Sequence, residues 1–202
     1  MLKSKKVAVT GSISSGKSLF CKFLEELGAY VVSADSIVHR LLSSHNNLSK
    51  KVIELLGIEI VENGLIDREK IANMVFNNIP LLRSLEQIIH PEVFFEIDKE
   101  YEKACKQNFL LFVAEVPLLF ETGAQKFFDK TIAVIADDSL CISRFIEATG
   151  KEAYLYKRRA SQQFTQVDKA SMADYVVINE GSEKELKKEA EKIFIKLTAY
   201  KS

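Results

Sequence analysis

Five short runs of apolar and β-branched residues punctuate the chain: KVAVT (residues 6–10), YVV (30–32), FLLFVA (109–114), TIAVIA (131–136) and YVVI (175–178). Within each run apolar residues follow one another instead of alternating with polar ones. A strand covered on one face alternates, whereas a strand covered on both faces is continuously apolar, so these runs predict a parallel sheet. Between the runs the spacing becomes helical. Phe20, Phe23, Leu24 and Leu27 recur along one helix face, with Gly28 placed to close that helix. Leu186, Ala190, Ile193 and Leu197 form a second such face, and Ser182 with Glu185 has capping-box spacing. Alternating strands and helices predict an α/β fold, a doubly wound parallel sheet of about five strands with helices on both faces.

Two stretches break the alternation. From about residue 37 to 107 there is no convincing strand, and Leu81, Leu82, Leu85, Ile88 and Ile89 lie on helical faces, with Pro91 expected to open the next helix. This stretch reads as a helical insertion hung on the sheet. Residues 149–172 are rich in Lys, Arg and Gln, lack strands, and read as a lid. At 202 residues the chain is one domain carrying these two elaborations.

The most specific chemistry lies between the first strand and the first helix. GSISSGKS (residues 11–18) fits the phosphate-loop pattern G-x-x-x-x-G-K-[ST] in the strand-to-helix context that pattern needs. Gly11 lets the chain turn off the strand, and Gly16 lets backbone amides approach phosphate oxygens. Those amides converge at a helix N-terminus, where the helix dipole favours negative charge. Lys17 adds a mobile cation for the β and γ phosphates, and the Ser18 hydroxyl is placed to ligate Mg2+. Ser14, Ser15, Gly16, Lys17, Ser18 and Leu19 are therefore the expected ATP contacts. The guanine-reading pattern [NT]-K-x-D is missing, which argues against a GTPase and for a small phosphotransferase.

Charge and cysteine content narrow the partners. Lys plus Arg number 28 and Asp plus Glu also 28, so there is no basic excess of the kind that binds nucleic acid, and anion binding must be local. Cys21, Cys105 and Cys141 form no Cys-x-x-Cys pair and read as reduced thiols. The longest apolar stretch, residues 109–120, is interrupted by Glu115 and Pro117 and is too short for a membrane span. The expectation is a cytoplasmic protein without a nucleic-acid or membrane partner, a monomer or a weak homo-oligomer.

Several segments in order, VTGSISSGKS, LGAYVVSAD (27–35), GLIDREKIANMVF (64–76), IIHP (88–91), VPLLFE (116–121) and ADYVVINEG (173–181), resemble the dephospho-CoA kinase family over nearly the whole chain. The resemblance implies Mg2+-assisted transfer of the γ-phosphate of ATP to the ribose 3′-hydroxyl of dephospho-CoA. It also implies a phosphate-loop core with a helical acceptor-binding insertion and a lid. The chain departs from the family pattern at four places. Ser33-Ala34-Asp35 keeps only the second carboxylate of an Asp-Ala-Asp, and Glu115 replaces an Asp. Ser12 and Ser14 replace loop glycines, and Ala148 replaces an Arg.

Asp35 stands just past the second run, where ligands bind in open α/β sheets. Its residue type suits either an N-cap of a helix over residues 36–42 or a base for the acceptor hydroxyl, and the resemblance favours catalysis. Arg144 reads alone as a surface arginine, and the resemblance implies contact with the transferring phosphoryl group. Glu115 reads as a second-sphere acid for the metal or as an ion-paired structural acid. Lys157, Arg158 and Arg159 are lid cations for phosphate or simply a solvated face. Asn179 either contacts adenine or caps the turn into the last helix. His90 reads as structural. Asp67, with Arg68 at a helix start, reads as a cap, or else as an acceptor contact.

Overall fold

The computed structural model describes residues 4–43, 46–75 and 78–199. Phe76, which ends the GLIDREKIANMVF motif, and the first residues of the basic N-terminus lie outside them. The chain divides into two compact units, one taking in the residues up to Ser33 and from Tyr101 onward, the other Ala34–Glu100.

In chain order the elements are β1 (Lys5–Gly11), α1 (Lys17–Glu26), β2 (Tyr30–Ser33), α2 (Ala34–Leu42), α3 (Asn47–Leu56), β3 (Val61–Glu62), β4 (Leu65–Ile66), α4 (Arg68–Val75) and α5 (Ile79–Lys106). There follow β5 (Leu111–Glu115), β6 (Lys130–Ile135), α6 (Asp138–Thr149), α7 (Ala153–Ala160), α8 (Gln166–Met172), β7 (Tyr175–Ile178) and α9 (Glu183–Thr198). All five expected runs are strands. They form one parallel sheet in the order β2-β5-β1-β6-β7. The first strand thus lies at the centre, and the chain moves outward from it in both directions. That arrangement opens a crevice beyond the carboxyl ends of the central strands, where the phosphate loop begins.

Period-2 geometry sends alternate residues to opposite sheet faces. Val7 and Val9 of β1, Val113 of β5, Ile132 and Val134 of β6 and Val177 of β7 pack with Phe20 and Leu24 of α1 and with Leu186, Ala190 and Ile193 of α9. Full burial of Phe20 and Leu24 stabilises the fold by roughly 1.5–3 kcal/mol each. Ser182 caps α9 in a reciprocal box with Glu185, as the spacing predicts. Ala8, Phe112, Ala114 and Ala133 are also buried, which explains why the strands read as unbroken apolar runs.

The unit Ala34–Glu100 has its own core, in which Leu42, Leu48, Val52, Leu56, Ile60, Ile71, Val75 and Leu85 meet. Two expectations fail here. The stretch is not free of strands, because β3 and β4 form a minimal antiparallel hairpin. Asn63 and Gly64 turn it with both residues at positive φ, the geometry that matches the twist of paired strands. Nor does Pro91 open a helix: α5 runs unbroken through it. Proline removes one amide donor from a helix interior, and a long helix packed on both sides of it absorbs that loss. Pro80 lies at the start of α5, where its missing N–H is harmless and the Asn78 side chain accepts from Leu81 N–H at 3.1 Å. Among the described residues no helix is long and apolar enough to cross a membrane.

Candidate active site

The loop after β1 is shaped by two close approaches. A Cβ on Gly11, at φ +149°, would sit 2.0 Å from the Val134 carbonyl oxygen, and a Cβ on Gly16, at φ +94°, would sit 2.1 Å from Asn179 Nδ2. Any larger residue at either position collides with a neighbour that is itself fixed. Ser14 carries a positive φ of 57° between them. Gly16 precedes α1 without any side-chain cap, so the first amides of that helix keep their donor capacity.

Lys17 is buried, and its ammonium donates to the Ser12 carbonyl at 2.7 Å, folding the side chain back over its own loop. The Ser18 hydroxyl donates to Glu115 Oε1 at 2.8 Å. Glu115 ends β5, in register with Val9 on one side and Ser33 on the other, so the sheet aims its carboxylate at the start of α1. Its carboxylate accepts from a hydroxyl at the first turn of that helix. Behind this pair, burial and then the Glu115 charge push the Cys21 thiol up, against the opposite pull of Lys17, so Cys21 stays protonated. Leu19 is half-buried and packs against the sheet core.

Asn179 is not the cap of the last helix, a task Ser182 performs. It is buried, its Nδ2 donates to the Ser15 carbonyl at 2.8 Å, and its own amide bonds Ile135 at 2.8 Å. It therefore fastens the phosphate loop to the ends of β6 and β7. Arg144, half-buried on α6, donates from its guanidinium to the Asn179 carbonyl at 3.1 Å.

The other predicted residues lie each within its own unit. Asp35 belongs to the second unit and is exposed in the first turn of α2, which starts at Ala34, so Asp35 is helical and not the N-cap. Asp67 caps α4, accepting from Glu69 N–H at 2.8 Å, and Arg68 donates to His39 Nδ1 at 3.0 Å. His90 lies half-buried inside α5, and burial pulls its pKa down. Of the three α7 cations only Lys157 lines the cavity of about 480 Å3 that Ser12, Asp138, Tyr156, Phe164 and Gln166 also border. Arg159 instead lies 6.0 Å from the Phe145 ring centroid. The cavity adjoins an apolar cluster of Cys141, Phe145 and Tyr156 into which Ile13 of the phosphate loop packs.

Two residues of this region were missed in the sequence. Lys169 is fully buried and pairs with Glu121 at 3.0 Å. A charge at the end of the apolar VPLLFE run hinted at Glu121, but nothing local separates Lys169 from a solvated lysine.

The chain as a whole is similar to proteins of known family. Residues 5–185 match the dephospho-CoA kinase family. The chain is 46% identical to the dephospho-CoA kinase of Protochlamydia amoebophila (strain UWE25) over 99% of this chain and 100% of that protein. It is 43% identical to that of Chlamydia pneumoniae over 98% of each. Among solved structures it is similar to TT1252 from Thermus thermophilus, with a TM-score of 0.83 at 28% identity over 97% of this chain and 99% of that one. The dephospho-CoA kinase from Campylobacter jejuni gives a TM-score of 0.70 at 28% identity over 95% and 96%. The likeness to a shikimate kinase from Acinetobacter baumannii, at 12% identity and a TM-score of 0.56 over 97% and 94%, extends to the fold alone.

Proposed function

We infer the division of labour in this site from one premise: the chain belongs to the dephospho-CoA kinase family and catalyses the ATP-dependent phosphorylation of dephospho-CoA to coenzyme A. The observation that carries the reading of individual residues is the Ser18–Glu115 hydrogen bond at 2.8 Å beside the buried Lys17. A hydroxyl, a carboxylate and an ammonium beside a helix N-terminus without a side-chain cap support the reading of a phosphate site.

Those donors fit magnesium. A hydroxyl and a carboxylate are hard oxygen ligands, and Mg2+ on a nucleotide takes one or two protein oxygens, with phosphates and waters completing its shell. Among the described residues there is no cluster of three or more His, Cys, Asp or Glu that would hold a metal by itself, which agrees with a cation carried in on ATP. Ser18 would be the direct ligand, with Glu115 orienting it. Bound there, the cation supplies charge neutralisation at the β and γ phosphates.

The chain's own groups do the rest. Backbone amides from Ser14 to Leu19 grip the β-phosphate, and Lys17 exchanges the Ser12 carbonyl for phosphate oxygens. Asp35 orients the ribose 3′-hydroxyl and takes its proton as that oxygen attacks the γ-phosphorus. The new P–O bond forms in line with the breaking bond to the β,γ-bridging oxygen, and ADP leaves. Arg144 neutralises charge on the transferring group, held at the rim of the loop by the Asn179 carbonyl. Residues 37–107 supply the acceptor-binding surface and residues 149–172 the lid, with Lys157 as the phosphate-facing cation. The three cysteines, two of them buried, are joined by no disulfide, which suits a reducing cytoplasm.

Incubation of the purified chain with ATP, Mg2+ and dephospho-CoA should yield coenzyme A and ADP in equal amounts. Ser18→Ala should raise the Mg2+ concentration needed for half-maximal rate at fixed ATP. An unchanged metal requirement would remove Ser18 from the metal's shell.

A further inference from the structure

A buried lysine calls for an explanation that stability does not provide. Lys169 has no exposed surface, and burial draws its pKa down while Glu121 pulls it back up. Buried ion pairs are commonly no more stabilising than apolar side chains of the same volume, and in some proteins they serve instead to specify one arrangement over others. The contacts of this pair state which arrangement. The Lys169 ammonium donates to the Pro117 carbonyl at 2.7 Å and pairs with Glu121 Oε1 at 3.0 Å. The same Pro117 carbonyl accepts from the Thr10 hydroxyl at 3.0 Å, and Thr10 is the residue before Gly11. The same Glu121 oxygen accepts from the Phe164 amide at 2.8 Å, and Phe164 borders the cavity that Ser12 and Lys157 share.

A second attachment supports the first. Gln166, at the start of α8, accepts from Ala136 N–H at 2.9 Å and donates to the Ala136 carbonyl at 2.5 Å and to Asp138 at 2.7 Å. The first turn of α8 is thus held at two points, to the end of β6 by Gln166 and to the segment after β5 by Lys169. Both attachments bear on the turn that carries Phe164.

We propose that Lys169, acting with Glu121, is a positioning residue for the phosphoryl transfer. The pair clamps the α7–α8 turn to the Thr10–Pro117 contact at the root of the phosphate loop, and so fixes the cavity wall that carries Lys157 relative to Ser12. Neither residue touches the reacting atoms. The inference rests on the reading of residues 149–172 as a phosphate-facing lid.

The test compares full-length variants by steady-state kinetics, ATP binding and thermal melting. Lys169→Met is expected to lower kcat at least tenfold while the Kd for ATP stays within threefold of wild type. The double variant Lys169→Met/Glu121→Leu leaves no stranded charge and should regain the wild-type melting temperature. Its kcat should stay low, because the Phe164 amide has lost its acceptor and the Pro117 carbonyl, though still bound by Thr10, has lost its tie to α8. A double variant with wild-type kcat overturns the proposal and leaves the pair a purely structural element. Should Lys169→Met not fold, Thr10→Val reads the same node without any change of charge: at least a threefold fall in kcat is expected, and a wild-type kcat overturns the proposal. Lys157→Ala separates the two readings. If it leaves kcat and both KM values unchanged, the lid reading falls and the inference with it. If it lowers kcat while the Lys169 variants do not, the inference alone falls.

Discussion

In the sheet unit three buried polar side chains are hydrogen-bonded: Lys17 to Ser12, Asn179 to Ser15, and Lys169 to Pro117 and Glu121. In the unit Ala34–Glu100 the ion pairs of Arg40 with Glu96 at 3.2 Å and of Lys70 with Glu62 at 2.9 Å each have an exposed cation, as do surface pairs of the sheet unit such as Lys187 with Glu26, and the candidate base Asp35 is exposed. The apolar cores are comparable in kind, yet polar side chains are held in place by different means. A parallel sheet buried on both faces offers few positions for charge, and every buried charge must be paired or hydrogen-bonded. A helical layer can leave its charges in water, where their pairing is weak and exchangeable. The phosphate loop is therefore held by contacts made within the fold, while Asp35 and the cations Arg40 and Lys70 of the second unit face water.

This contrast can be broken by mutation, and the sheet unit should give the largest effect. Lys17→Ala is expected to lower kcat by roughly 10²–10³, the usual cost of removing one preorganised charge-stabilising donor. A loss below tenfold in steady-state assays would mean that the buried lysine is not preorganised for phosphate. Asp35→Asn should lower kcat by at least about tenfold with ATP affinity largely kept, since it removes a proton acceptor and no phosphate contact. Unchanged kcat removes Asp35 from the chemistry and leaves the second unit a binding surface only.

Smaller effects sharpen the comparison within the second unit. Burial holds the His90 pKa below its ordinary value, so between the two values the unfolded chain binds more protons than the folded one. Stability should therefore fall as pH drops from about 6.5 through that window. Urea titrations across it should show a shallower slope in His90→Gln. Lys70→Ala, which breaks an exposed pair, should move the melting temperature by no more than about 2 °C. A larger shift would show that this unit does depend on its surface ion pairs.

The parts of the molecule legible in sequence are those whose cause is local. The five strands follow from runs of apolar residues, the faces of α1 and α9 from helical spacing, and the cap of α9 from Ser182 and Glu185 three residues apart. The phosphate loop needs only eight consecutive residues and the strand and helix around them. The hairpin β3–β4 was not read, because strands of two residues each carry no periodicity and only its Asn-Gly turn marks it. The continuity of α5 through Pro91 was not read either, because local preference argues for a break there and packing along the rest of a 28-residue helix decides otherwise.

By itself, then, the sequence determined the fold class, the phosphate-binding loop and the family to which the chain belongs. Tertiary structure alone decided how the loop is held. Asn179 reaches Ser15 across 164 positions and Lys169 reaches Pro117 across 52, and neither residue differs in its sequence neighbourhood from one that faces water. Spacing along a chain encodes which face of an element is apolar. It does not encode which buried donor finds which distant acceptor, because that partner exists only once the strands have been set side by side.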